Sequence, residues 1–312
     1  MTGFIYIDKD FAANRELITE LLSSDSFRNS EYALHVNISK NELFEKWSCI
    51  AYDSNENDSI IVLASVLHSL NYAPTEITCD GNIDYAEISK IRANEDKKLN
   101  SIFLLNEDPG IAKTHGVAVV KSKDTSIISK QPKNRPIKND EAVLWSSLLP
   151  YDYWNSIIIV DCYILKDKAT IERNLFPILD KGRSTHSKIQ VSIFTQFRKD
   201  DRKLMWDGAY DFIKSRYPKD SLEIIDVRNA PREIHDRSIL TNHYYFHLPG
   251  GLDLLNAMGR STKHTKLIAY KFPQFYEVAS DDVRDFCETV KEYKENRLNI
   301  KCNKDFKNRL IY

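Results

Sequence analysis

Residues 234–255 read IHDRSILTNHYYFHLPGGLDLL, and they carry the strongest indication of the fold that we expect for the second half of the chain. It places His235 and Arg237 two residues apart, followed by two short apolar runs and the pair Gly250-Gly251. Residues i and i+2 of a strand point to the same face, so both side chains can contact one phosphate. The two apolar runs, with a short polar turn between them, predict a β-hairpin.

The segments before this hairpin alternate between strand and helix patterns. Apolar runs predict strands at residues 155–165, 188–194 and 222–227. Apolar residues at helical spacing predict helices at residues 168–180 and 200–215, and a charged amphipathic helix at 280–296. The resulting order, β-α-β-α-β-β, predicts an α/β half-domain.

The motif resembles the H-x-K-x4-D signature of the phospholipase D superfamily in a degenerate form. Arg237 stands in the place of the lysine, and Asn242 stands in the place of the acid. Arginine still binds phosphate oxygens through its planar fork, whereas asparagine lacks the charge that would stabilise an imidazolium. Enzymes of that superfamily need two copies of the motif, and one copy is visible here, so catalysis by His235 would require a dimer.

Within that superfamily, the sequence resembles one branch more closely, the phospholipase-D-like C-terminal domain of MIT-domain proteins, which also carries I-H-D-R before a hairpin and a glycine-containing turn. This resemblance implies a homodimer and a phosphate or acidic-lipid ligand. It implies a phosphate-binding set made of His235, Arg237, Asn242, Gly250 and Gly251.

The first half of the chain shows short apolar strands between helical segments, which predicts a parallel α/β sheet. Strands are predicted at residues 4–8, 76–79, 101–105 and 116–120. Helices are predicted at residues 11–22 and 85–99, and residues 59–70 form a nearly all-apolar run that fits either a buried helix or a buried strand.

Three acids of this half follow strands or begin helices: Asp8, Asp84 and Asp108. The pattern resembles a PIN-like nuclease domain, in which carboxylates at the end of a parallel sheet hold divalent metal. This resemblance implies that the three acids bind Mg²⁺ or Mn²⁺ and are catalytic. The alternative is structural, since Asp8 and Asp108 could each cap a helix or end a strand in solvent.

One further acid of the PIN-like pattern cannot be assigned from the sequence. It belongs in the middle of the domain, where Glu42, Glu45 and Asp53 compete for it.

A polar stretch, KSKDTSIISKQPKNRPIKND at residues 121–140, divides the two halves and is typical of an exposed linker. We therefore expect a PIN-like α/β domain at residues 1–121, a linker at 122–140 and a phospholipase-D-like domain at 141–312. Residues 1–150 contain 16 Lys/Arg against 22 Asp/Glu, and residues 151–312 contain 28 against 23. The basic second half suits a polyanionic partner.

Composition restricts the class of protein. No run of about 18 apolar residues is present, as a transmembrane helix would require. The first residues, MTGFIYID, lack the basic start of a signal peptide. Five cysteines without a C-x-x-C pair favour a reducing, cytoplasmic location over a disulfide framework or a zinc knuckle.

Together these patterns predict a hydrolase: a metal-dependent nuclease, of the kind used as a bacterial antiviral-defence or toxin-type effector, whose dimeric second domain binds nucleic acid or another phosphodiester. A non-catalytic module that binds phosphate, lipid or a partner protein is the second hypothesis. A metal-independent phosphodiesterase that uses His235 from both subunits of a dimer is the third.

Overall fold

The computed structural model describes residues 3–14, 32–52, 77–94, 100–105, 118–121, 133–149, 154–183, 188–196, 202–227, 234, 237–241, 244–271, 277–297, 299–302, 306, 308 and 310. The chain divides into two compact units, Met1–Lys130 with Phe272–Asp281, and Gln131–Lys271 with Asp282–Tyr312. Each unit contains its own β-sheet. Among the described residues, no helix combines the length and the apolar character needed to cross a bilayer.

The first unit contains a small parallel sheet. Its strands are β1 (Gly3–Ile7), β2 (Tyr32–Val36), β3 (Ile77–Cys79), β4 (Asn100–Leu105) and β5 (Ala118–Lys121), and its helices are α1 (Lys9–Ala12), α2 (Lys40–Tyr52) and α3 (Tyr85–Asn94). The strand order is β3-β2-β1-β4-β5, and every pairing is parallel. All five carboxyl ends therefore lie at one edge of this sheet.

Burial explains why these strands form. Ile5 and Ile7 of β1 and Leu34 and Val36 of β2 lie on one face of the sheet and are fully buried. Tyr6 of β1 points to the other face and is also buried, as a strand covered on both faces requires. Trp47 of α2 is also fully buried, and its indole Nε1 donates a hydrogen bond to the carbonyl of Ala12 over 3.1 Å. This bond joins α2 to the end of α1.

The predicted parallel sheet of the first half is confirmed, and its strand positions are correct within two residues at each end. The predicted helix at residues 85–99 is α3. The predicted helix at residues 11–22 begins earlier, at Lys9, and has ended before Asn14. Residues 15–22, 59–70 and 95–99 lie outside the described residues, and the sequence interpretation missed β2 and α2.

The second unit contains a larger, mixed sheet. Its strands are β6 (Lys133–Ile137), β7 (Ser156–Val160), β8 (Gln190–Thr195), β9 (Ser221–Asp226), β10 (Ser238–Thr241), β11 (Tyr244–His247), β12 (Thr265–Lys271) and β13 (Asn299–Cys302). Their order is β13-β9-β8-β7-β10-β11-β12-β6. Only β7, β8 and β9 pair in parallel, and the other neighbours are antiparallel.

The helical elements of this unit are α4 (Trp145–Leu148), α5 (Lys168–Thr170), a π-helical turn (Ile171–Leu175), α6 (Phe176–Arg183), α7 (Arg202–Arg216) and, from residue 282 onward, α8 (Glu277–Glu295). Alternate residues of the central strands pack on opposite faces. One face joins the core that contains α4, α6 and α7, and the other packs on Phe286, Val290 and Tyr293 of α8.

The predicted β-α-β-α-β-β order is confirmed for the described residues, but two boundaries were wrong. The strand predicted at residues 155–165 ends at Val160, where the chain turns. The predicted linker at residues 122–140 contains β6, which pairs with β12 at the edge of the large sheet. The last part of that stretch therefore belongs to the second unit.

Candidate functional site

Three polar residues stand side by side at the carboxyl edge of the small sheet. Asp8, Asn37 and Asp80 directly follow β1, β2 and β3. The backbone N–H of Asn37 donates to the carbonyl of Ile7 over 2.9 Å, and that of Asp80 donates to Val36 over 3.1 Å. These bonds extend the ladder one step beyond the strands, so the three side chains begin at one level.

Asp8 lies at the point of this edge where ligands are expected. The strand order reverses between β1 and β4, which end together because Ile7 pairs with Leu104. Open parallel sheets bind ligands outside the carboxyl ends of the strands at such a reversal. Asp108 follows β4 by three residues in the chain and lies outside the described residues.

The Tyr85 side chain borders Asp8. Its hydroxyl donates a hydrogen bond to the carbonyl of Ile7 over 3.2 Å. Burial, and secondarily the negative charge of Asp8, raise the pKa of Tyr85 well above its usual range, while a hydrogen bond with the Asn37 side chain opposes this shift. The Tyr85 hydroxyl therefore remains protonated beside the half-buried Asp8 carboxylate.

Asp84 has a structural task in this structure. It precedes α3, and its Oδ1 accepts the backbone N–H groups of Ala86 at 3.0 Å and Glu87 at 3.1 Å. This is the geometry of a helix N-cap. A role for Asp84 as a metal ligand would have to use its other carboxylate oxygen.

The structure separates the acids that competed for the mid-chain position. Glu42 lies in the first turn of α2, just after the carboxyl end of β2, and forms an ion pair with Lys9 at 3.1 Å. Lys9 adjoins Asp8 in sequence. Glu45 lies almost one turn further along α2 and is exposed, and Asp53 lies outside the described residues. Of the two competing acids that the structure describes, Glu42 is therefore nearer to this edge than Glu45.

The donors at this edge suit a hard divalent cation. Carboxylate and amide oxygens are the ligands that Mg²⁺ prefers, and Asp8, Asn37 and Glu42 supply them. Within the part of the chain that the structure describes, no three His, Cys, Asp or Glu side chains come close enough together to hold a metal. The predicted set of Asp8, Asp84 and Asp108 includes one member outside that part.

In the second unit, Arg237 is the described member of the degenerate motif, since His235 and Asn242 lie outside the described residues. Arg237 immediately precedes β10 and is half-buried. Its Nη1 donates to the carbonyl of Pro249 over 3.3 Å, and its guanidinium lies 5.9 Å from the centre of the Tyr163 ring. The cationic group is thereby held against the turn that follows β11.

Gly250 and Gly251 shape that turn, and their amides are already used. Gly250 N–H donates to Thr265 Oγ1 over 3.1 Å, and Gly251 N–H donates to Leu248 O over 2.9 Å. A Cβ on Gly250 would lie 2.5 Å from Thr265 Oγ1, and Gly251 has φ +89°. These N–H groups already have acceptors, so they do not support the predicted phosphate-binding role of the two glycines. Glycine is needed at Gly250 because a side chain would clash with Thr265, and at Gly251 because of its positive φ.

Asp161, which the sequence interpretation did not single out, fixes this turn. It directly follows β7 and is fully buried. Its Oδ1 accepts the N–H groups of Tyr163 at 2.6 Å and Ile164 at 2.7 Å, and its Oδ2 accepts the N–H of Leu252 at 2.7 Å. Burial raises the pKa of Asp161, and these three bonds oppose that shift. The signal in the sequence was an acid directly after the apolar run SIIIV.

Asn174 fixes the other end of the same segment. It lies in the π-helical turn, is buried, and accepts hydrogen bonds at Oδ1 from Leu255 N–H at 2.9 Å and from Trp145 Nε1 at 3.2 Å. π-Helical turns often occur where a side chain must be redirected for a specific task. Asp161 and Asn174 together hold the segment from Leu252 to Leu255 in one conformation.

Two lysines approach the turn and share one carboxylate. Lys263 Nζ donates to the carbonyl of Gly250 over 2.6 Å and to Asp253 Oδ1 over 2.7 Å. Lys166 Nζ contacts the other oxygen, Asp253 Oδ2, at 3.4 Å. The lysine side chains are 33% and 47% exposed, whereas that of Asp253 is 13% exposed. Neither lysine belongs to the motif, and no local pattern of the sequence indicated them.

The hairpin histidine His247 has a packing role. Ser238 Oγ lies 3.4 Å from His247 Nδ1 and 3.1 Å from the Tyr245 hydroxyl. Ser238 is 1% exposed, so a substrate cannot reach its hydroxyl. These contacts link β10 to β11 on the face that packs against α8.

No protein-family model matches this sequence, and a search among curated proteins returns no match.

Proposed function

We propose that the protein is a metal-dependent nuclease whose first unit, a PIN-like domain, cleaves phosphodiesters. The observation that carries this proposal is the strand order of the small sheet. It places Asp8 at the carboxyl end of β1, beside the reversal of strand order. An acid at that position, with oxygen donors on the neighbouring strand and helix, is suited to hold a divalent metal at a ligand-binding edge.

Asp8, Glu42 and Asp108 would hold Mg²⁺ or Mn²⁺, and Asp84 would contribute through the carboxylate oxygen that its cap does not use. When bound, such a metal would polarise the phosphoryl group and lower the pKa of a coordinated water. The protonated Tyr85 hydroxyl fixes the backbone of Ile7, and therefore the position from which the Asp8 side chain begins.

The second unit would act as a phospholipase-D-like phosphate-binding domain. Arg237 supports this role, because its cationic group is held in a fixed position by Pro249 and Tyr163. Binding without chemistry fits this unit better than catalysis, since clamping a phosphate through Arg237 does not require a nucleophile. We extend the proposal to a homodimer and to a cytoplasmic defence or toxin-type effector, by analogy with the folds that the sequence resembles.

Cleavage assays test the proposal. Single- and double-stranded DNA and RNA are incubated with the protein in Mn²⁺ or in EDTA. We expect cleavage in Mn²⁺ and none in EDTA. Asp8→Asn should lower the cleavage rate roughly 100-fold or more, which exceeds the effect typical of removing a residue that only hydrogen-bonds to a metal ligand. Glu42→Gln should also lose activity, whereas Glu45→Gln, an exposed acid of the same helix, should keep it.

The other hypotheses predict different results. Cleavage that survives EDTA but disappears in His235→Ala would support a metal-independent phosphodiesterase instead. If no substrate is cleaved in any metal while oligonucleotides or anionic vesicles still bind, the protein is a binding module and the nuclease proposal is wrong.

A further inference from the structure

The turn after β11 presents more positive charge than the motif accounts for. Arg237 is held by the carbonyl of Pro249, and Lys263 is held by the next carbonyl, that of Gly250. Consecutive carbonyls of one turn thus position two cationic groups. Lys166 joins them because it binds the second oxygen of the carboxylate that Lys263 binds.

This arrangement is fixed by the protein core. Buried Asp161 and Asn174 hold the backbone of the segment that contains Asp253, and Thr265 holds Gly250. Asp253 therefore presents its two carboxylate oxygens at fixed positions, one to each lysine. Both lysine ammonium groups are thus held at one carboxylate before any ligand arrives, which reduces the entropy lost on binding.

The charges and the remaining hydrogen-bond donors favour an anion. Arg237, Lys166 and Lys263 bring three positive charges to this turn. Within the described residues, the carboxylate that pairs with the two lysines is Asp253, whereas the Asp161 carboxylate is buried and accepts three backbone N–H groups. An ammonium has three donors. Among the contacts within the described residues, Lys263 uses two and Lys166 uses one. Both lysine side chains remain partly exposed, so a phosphate can share their ammonium groups with Asp253.

We propose that Lys166 and Lys263, oriented by Asp253, bind a second phosphate next to the one held by Arg237, so that this turn takes two neighbouring phosphates of one nucleic-acid strand. The inference rests on the proposed role of Arg237 as a phosphate ligand. It narrows the ligand of the second unit to a phosphodiester chain in place of a single phosphate group.

Two short ligands test it. A dinucleoside monophosphate carries one phosphate, and a trinucleoside diphosphate carries two. Binding to the full chain is measured by calorimetry at low salt in EDTA, where metal-dependent cleavage does not occur. We expect the wild-type protein to bind the two-phosphate ligand about tenfold more tightly, the effect of one additional charged hydrogen bond.

The double variant Lys166→Gln/Lys263→Gln should bind both ligands alike. The matched control is Lys188→Gln/Lys219→Gln, which removes two exposed lysines just before the amino-terminal ends of β8 and β9. This variant should keep the preference for the two-phosphate ligand. Lys166→Arg/Lys263→Arg retains both charges and should restore the preference, which separates a lost contact from a misfolded protein.

With a longer single strand, the first double variant should also show a shallower salt dependence, by about 0.7 in the slope of log K against log salt, as expected for one lost phosphate contact. The proposal is overturned if that variant keeps the wild-type preference, or if the control loses it equally. It is also overturned if the variant loses binding only to phosphatidylserine vesicles, because the lysines would then bind lipid. The nuclease proposal fails in a different measurement. If Asp8→Asn still cleaves nucleic acid, that proposal is wrong, but the affinities for the one- and two-phosphate ligands stay as predicted.

Discussion

Asp8 and Asp161 occupy equivalent places in the two sheets, and they have opposite surroundings. Each directly follows a buried strand that pairs in parallel, β1 in the small sheet and β7 in the large one. Asp8 is half-buried at an edge shared with the exposed acids Asp80 and Asp84. Asp161 is fully buried and bonds to three backbone N–H groups, at an edge that presents Arg237 and two lysines to solvent.

The difference shows that burial, and not position at a sheet edge, decides what such an acid does. A carboxylate at solvent can exchange its partners for a metal or a substrate. A carboxylate that supplies the acceptors for buried N–H groups cannot leave them without a large cost in free energy. The small-sheet edge is therefore suited to chemistry, and the large-sheet edge is suited to holding cations at fixed positions.

The largest expected effect on stability comes from removing the buried acid. Asp161→Ala leaves three N–H groups without an acceptor, each costing about 1–3 kcal/mol, so we expect the second unit to lose at least about 3 kcal/mol of unfolding free energy. Asp8→Ala should change the free energy of unfolding by less than about 1 kcal/mol. Urea denaturation of both variants measures this contrast, and equal losses would refute the distinction between the two acids.

A smaller effect separates two glycines of the second unit. Gly251 has φ +89°, and a Cβ there would lie 3.0 Å from Asp253 Oδ1, so Gly251→Ala should destabilise the unit by about 1–3 kcal/mol. A Cβ on Gly208, within α7, would meet no atom within 4 Å. Gly208→Ala should therefore stabilise by about 0.5–1 kcal/mol. Thermal unfolding of the two variants gives the signs, and a stabilising Gly251→Ala would show that the turn is not constrained.

The smallest effect concerns Asp84, which both caps a helix and was predicted to bind metal. Asp84→Ala should destabilise the first unit by about 1 kcal/mol, whereas Asp84→Asn should preserve the cap, because asparagine is as good a capping residue. Denaturant titration measures the two stabilities. If Asp84→Asn keeps both stability and cleavage, the residue is a cap alone. If it keeps stability and loses cleavage, its charge serves the metal.

The sequence predicted most of what depends on local pattern. The runs FIYI and SIFLL are apolar enough to be buried on both faces, and they are neighbouring parallel strands in the structure. The strand β6 was missed because KNRPI is polar and contains Pro136. An edge strand tolerates both features, since one side of it faces solvent.

What the sequence could not predict depends on contacts between distant residues. Asp161 accepts the N–H groups of Tyr163 and Ile164 where the apolar residues 162–165 favoured a longer strand. Its other oxygen binds Leu252, which is 91 residues away in the chain. The site at Lys166 and Lys263 could not be predicted for a similar reason, because Lys166 and Asp253 are 87 residues apart in the chain. Each lysine by itself is an ordinary surface residue, and only the position of Asp253 brings them together.

Direct binding of Mn²⁺ tests the central claim, that the carboxyl edge of the small sheet holds a catalytic metal through Asp8. The wild-type chain, Asp8→Asn and the control Glu45→Gln are titrated with Mn²⁺ by calorimetry, and the bound ion is followed by its paramagnetic resonance. We predict that the wild-type protein and Glu45→Gln bind the ion alike and that Asp8→Asn does not. Equal binding by all three, or no binding by a wild-type protein that still cleaves nucleic acid, would contradict the account.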